Sequence, residues 1–118
     1  MQIKKMCHTG LLFILASLTP AQADNDNMQD TMLTFHLGEL VKKNSETPLP
    51  YLEFLRTGTM SAYLYELPAD ATDTQTPHDQ DEIYYVIEGE AVFTAGTTLT
   101  SVKAGTILCV EKFTEHRF

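Results

Sequence analysis

Chemistry in this chain is concentrated in the stretch Thr76-Pro77-His78-Asp79-Gln80-Asp81-Glu82-Ile83-Tyr84-Tyr85-Val86-Ile87-Glu88-Gly89. In an extended strand, side chains at i, i+2 and i+4 share a face. His78, Gln80, Glu82, Tyr84 and Val86 then point one way, and an imidazole nitrogen and a carboxylate oxygen can converge on one cation. Ile83, Tyr85 and Ile87 form the opposite, apolar face. A His-x3-Glu pair alone is a weak signal, because His78 after Pro77 also suits an exposed loop and Glu82 an ordinary surface position. Tyr84 and Val86 suit an interior lining better than catalysis. His116, near the end of the segment Val102–Phe118, reads by itself as a loop histidine, and His36 as a surface residue. The sequence holds no P-loop, GxGxxG, CxxC or serine-centred nucleophile motif.

The elements that would carry these residues are mostly strands. Runs of β-branched and aromatic residues alternate with turn formers every eight to twelve positions, as in all-β sandwiches and barrels. Strands are expected at roughly 51–56, 59–67, 82–88, 90–95, 97–102, 106–110 and 114–118, punctuated by Gly58, Gly89, Gly96 and Gly105. Pro68 to Pro77 is a longer polar loop leading into the His78 segment. One short helix is expected where Phe35, Leu37, Leu40 and Val41 recur at near-helical spacing up to Lys43. Asn44 to Pro50 then breaks it with turn formers and prolines. Cys109, inside the apolar run Ile107 to Val110, is expected to be a buried, inert hydrophobe. Tyr63, Tyr65, Tyr85 and Ile87 are expected to mark packing or a dimer seam.

These two segments together resemble the cupin family of small antiparallel β-barrels. Of that family's first motif, Gly-x5-His-x-His-x3–4-Glu-x6-Gly, His78, Glu82 and Gly89 are present, with Asp70 at the first Gly and Thr76 at the first His. Of the second, Gly-x5-Pro-x-Gly-x2-His-x3-Asn, Gly105 and His116 match, while Glu111 replaces Pro and Phe113 replaces Gly. The likeness runs from about Tyr51 to Phe118. It implies a jelly-roll barrel with one short N-terminal helix, incomplete at its C-terminus because family members continue with strands that close the barrel. It also implies a divalent metal held by His78, Glu82 and His116, with Gln80 and Tyr84 as further ligand or lining. Two histidines and one carboxylate are the facial set of non-haem Fe(II), and the same set holds Mn, Zn or Ni. A small polar ligand would bind in the barrel, and a dioxygenase or isomerase activity is one use of such a site. A metal-free ligand-binding or sensor module, and a degenerate cupin serving only dimerisation, remain as alternatives.

The first 23 residues read as an export signal. Lys4 and Lys5 precede the apolar run Leu11 to Leu18, and Ala21-Gln22-Ala23 has the small-x-small pattern of a cleavage site. The run is far shorter than the roughly 20 residues that span a bilayer. Residues 24–50 would then be an acidic lead-in, short helix and loop, and 51–118 the barrel domain, in a secreted or periplasmic protein with no membrane attachment after cleavage. With Cys7 removed, Cys109 would leave no intramolecular disulfide. The 118 residues carry a formal charge of −8, with 16 acidic against 8 basic side chains. That balance excludes a phosphate-binding surface for nucleic acid. A homodimer is expected, since so small a domain has a modest core and an unclosed sheet exposes an edge.

Overall fold

The computed structural model describes residues 11–18 and 32–118. The basic start, the cleavage site, the acidic lead-in and Cys7 lie outside those residues. The described elements run β1 (Leu11–Leu18), α1 (Leu37–Ser45), β2 (Tyr51–Arg56), β3 (Met60–Leu67), β4 (Asp81–Glu88), β5 (Glu90–Ala95), β6 (Thr98–Lys103), β7 (Ile107–Val110) and β8 (His116–Arg117). The strands from Tyr51 onward fall where alternation and glycine punctuation put them. The helix runs two residues past Lys43, and the last strand is shorter than expected.

Every described strand pairing is antiparallel. The strands form a five-stranded sheet, β2-β3-β1-β4-β7, and a three-stranded sheet, β6-β5-β8. This is the jelly-roll architecture implied by the sequence, and among the described residues the two sheets do not close into one barrel. The apolar run Leu11–Leu18, assigned by the sequence to the export signal, forms β1, which lies between β3 and β4. Strand β4 leaves the five-stranded sheet at Gly89, and the chain returns to it at Gly105. Both corners have φ of +88°, where a side chain would be strained. They are tied by backbone bonds, Ala104 N–H to the Gly89 carbonyl (3.0 Å) and Gly105 N–H to the Val86 carbonyl (2.8 Å).

The core sits between the inner faces of the sheets. Phe13 and Leu15 of β1, Tyr65 of β3, Tyr84 and Val86 of β4, Phe93 of β5 and Val102 of β6 all belong to it. In β4 the burial alternates strictly from Asp81 to Val86, with Glu82, Tyr84 and Val86 inward. Ile83 and Tyr85 project outward and are nearly half exposed. Opposite them in register are Cys109 and Ile107 of β7. Cys109 is therefore exposed rather than buried. The inward side of β7 is taken by Val110, so strand alternation sends Cys109 outward. Helix α1 lies against β2 and β3, with the Phe35 and Phe54 rings 5.1 Å apart.

Two non-glycine residues have left-handed backbone, Asp70 and Phe113, both at φ of 63°. They occupy the two positions where the resembled motifs have glycine and this chain does not. The backbone shape has been kept without the residue that makes it cheap. For Phe113, whose side chain is mostly exposed, the conformation costs about 1–2 kcal/mol. Phe113→Gly should raise the unfolding free energy by about 1 kcal/mol, the relief of strain exceeding the added freedom of the unfolded chain. Urea denaturation checks this, and a stability unchanged or lowered would remove strain at this turn from the account.

Candidate metal centre

His78 is delivered by the loop preceding β4, Glu82 by β4 itself, and His116 by β8 of the opposite sheet. Their ligand atoms all lie within 4.8 Å of one another. Glu82 and His116 are 3% and 2% exposed, whereas the His78 side chain is 37% exposed, so two of the three groups are withdrawn from water and the third stands at its edge. A buried carboxylate needs partners, and Glu82 has three. Its Oε1 faces His78 Nδ1; its Oε2 lies 3.1 Å from His116 Nε2 and 3.2 Å from the Tyr84 hydroxyl.

The orientation of each imidazole shows what the cluster can hold. His116 Nδ1–H donates to the Thr114 carbonyl at 2.8 Å, which directs Nε2 at Glu82. Metal-ligating histidines are fixed in this way, by a hydrogen bond from the nitrogen that does not ligate. His78 Nδ1 is buried without a hydrogen-bond partner, although it sits against the Glu82 carboxylate. A ring nitrogen, a carboxylate and a second ring nitrogen, all directed at one point, form an N2O donor set that fits a divalent transition metal. In the metal-free arrangement His116 holds its proton above the ordinary pKa of 6.5. Burial pulls that pKa down, but the bonds to Glu82 and the Thr114 carbonyl outweigh it.

Tyr84 is completely buried. Its hydroxyl lies 2.8 Å from His116 Nε2 and 3.1 Å from Gln75 Oε1, in addition to Glu82. One phenolic proton serves one acceptor at a time, so Tyr84 positions the cluster rather than saturating it. Burial, then the neighbouring Glu82 charge, push its pKa upward, so it stays a neutral donor.

Two residues in the polar loop before the site carry more than the sequence shows. Asp73, 8% exposed, accepts the Gln75 backbone N–H (3.1 Å), the Gln75 amide (2.8 Å) and the Phe118 N–H (2.9 Å). Gln75 in turn receives Tyr84. The loop and the last residue of the chain are thus bolted to the site through one carboxylate. Asp81 accepts the Lys112 N–H at 3.0 Å. The Phe113 N–H donates to the His78 carbonyl at 2.7 Å. These bonds join the β7–β8 connection to the start of β4 and so set the distance between His116 and His78.

A cavity of about 570 Å³ opens onto His78 and Glu82. Its wall includes Ser17, Arg56, Tyr63 and Gln80, and Thr76 lines it where the motif would have a histidine. The Arg56 guanidinium pairs with Glu53 and donates to the Tyr63 hydroxyl at 2.8 Å. Gln80 is among the residues that line the cavity.

Residues 63–118 match the Cupin domain family profile. The Streptomyces coelicolor protein named "Uncharacterized protein SCO3923" is 41% identical over 87 residues, covering 74% of this chain and 83% of that protein. No solved structure matches the chain. With a family profile matched over residues 63–118 and a relative aligned over most of its own length, this chain belongs to the cupin family.

Proposed function

We propose that the protein binds one divalent transition-metal ion through His78, Glu82 and His116, and a small polar ligand in the adjoining cavity. The observation that carries this reading is the pair of imidazole nitrogens directed at the buried Glu82 carboxylate, one without a hydrogen-bond partner and one aimed by Thr114. A bound cation would supply Lewis-acid or oxygen-activating chemistry. The chain's own residues bury Glu82 and His116, hold Glu82 in place through Tyr84, and present the cavity wall to the ligand. Fe, Mn, Zn and Ni all suit the donors.

Titration of the purified protein with Mn(II), Zn(II) or Ni(II) by calorimetry tests the reading. One equivalent per chain is expected. The pH dependence follows from His116. Because its folded-state pKa is raised, a proton occupies Nε2 to higher pH than usual and competes with the cation. Metal affinity should therefore rise from pH 6 to pH 8, by up to about tenfold per pH unit for each proton displaced. Without metal the sign reverses. The stabilisation from protonated His116 is full below its unfolded-state pKa and is lost as pH rises through the raised value. Negligible binding of all three ions at pH 8 would leave a metal-free ligand site instead.

A further inference from the structure

The Leu11–Leu18 strand occupies a position that the rest of the chain leaves open. It pairs with β3 from Leu11↔Leu67 to Leu18↔Met60, and with β4 from Leu12↔Glu88 to Leu18↔Asp81. No described pairing joins β3 to β4 directly. Taking β1 away would leave two facing strand edges separated by roughly 9–10 Å, twice the inter-strand spacing. Such a gap exposes unpaired backbone groups and invites another strand. The loss would reach the core as well. The Phe13 ring, fully buried, lies 4.5 Å from Phe118 and 4.9 Å from Tyr65, centroid to centroid.

The side chains of β1 match the slot in register and in chemistry. Leu11, Phe13, Leu15 and Ser17 are buried, and the residues between them are not. Three of these four are apolar and enter the core. The fourth, Ser17, lies at the cavity end, where its hydroxyl is 2.7 Å from that of Ser61 and its backbone is opposite Glu82. Leu12, on the outward side, lies opposite Glu66 and Glu88.

We infer that the space between β3 and β4 is a strand-acceptor site and that its occupant is this chain's own Leu11–Leu18, retained in the folded, metal-competent form. Cleavage after Ala23 and a filled slot are mutually exclusive in one molecule. Export would remove the strand that completes both the core and the cavity wall. The segment is thus a shared element for which translocation and folding compete.

The full chain tests this through two lysine substitutions one residue apart. Phe13→Lys places a charge in the core and should lower the melting temperature by about 10 °C or more. Leu12→Lys faces two glutamates and should change it by no more than about 3 °C. Equal effects of the two would overturn the assignment. A Ser17→Cys, Ser61→Cys double variant should form an intramolecular disulfide between positions 17 and 61, located by peptide mass mapping. A link between two chains would place a second copy in the slot and overturn the inference, as would no link in a folded protein. Mass spectrometry of the folded fraction should find residues 11–18 present, and a folded species beginning at Asp24 would likewise overturn it. None of these readouts requires metal, so their failure is distinct from failure of the metal reading.

Discussion

His116→Ala is expected to weaken metal binding by more than about a hundredfold, measured by calorimetry and by metal content after desalting. Altering a residue that merely supports a ligand costs about 10–100-fold in affinity, and here a ligand itself is removed. The remaining His78 and Glu82 come from the same stretch of chain and offer two donors, too few to hold a cation firmly against water. A second effect accompanies the first. Glu82 is nearly inaccessible and loses its contact with His116. Breaking a buried pair from one side destabilises by about 3–5 kcal/mol when the remaining charge has no other support. Tyr84 and His78 still face Glu82, so the cost should fall below that range. His36→Ala, at the exposed start of α1, serves as the control and should alter neither quantity. Unchanged metal affinity in His116→Ala would remove β8 from the site.

The other large effect lies in a residue that touches none of the three donors. Asp73→Ala should lower the unfolding free energy by about 2–4 kcal/mol, read by thermal or urea denaturation. The substitution deletes one acceptor and strands three donors: the Gln75 N–H, the Gln75 amide and the Phe118 N–H. Half-buried donors without partners carry part of the desolvation penalty in addition to the lost bonds. Asp73→Asn retains an acceptor oxygen and should cost less than half as much. Equal, small losses in both variants would show that water replaces the carboxylate and that the loop is not fastened through it.

The difference between these residues explains what could be read from the sequence. Glu82 and Tyr84 share one face of β4 because strand periodicity is fixed by backbone geometry, and the outward Ile83 and Tyr85 mark the alternation. His78 reaches the same cluster from the loop before the strand, where the expected regular extension from His78 does not hold. His116 carried no such local signal. It meets Glu82 through the crossing from one sheet to the other, and its motif resemblance, rather than its neighbours, pointed to it. Asp73 and Gln75 were invisible in a polar loop whose composition is that of any solvated turn; only the returning Phe118 N–H gives Asp73 a partner distant in sequence. Cys109 was misplaced because Ile-Leu-Cys-Val contains no polar residue to distinguish its two faces. The same ambiguity governs Leu11–Leu18. Eight nearly uninterrupted apolar residues have one composition whether they enter a membrane translocation path or a buried strand, and length and flanking charge favoured the first.

The donors of the metal centre are divided between the two layers of the fold. Glu82 belongs to the five-stranded sheet, whereas His116 stands on a strand of two residues that pairs, among the described residues, with Thr94 and Ala95. A cation gripping both would act as a rivet through the sandwich. Prying the layers apart there and emptying the site would then be a single mechanical event, so the chain's grip on its ion would also measure how tightly its two halves are closed.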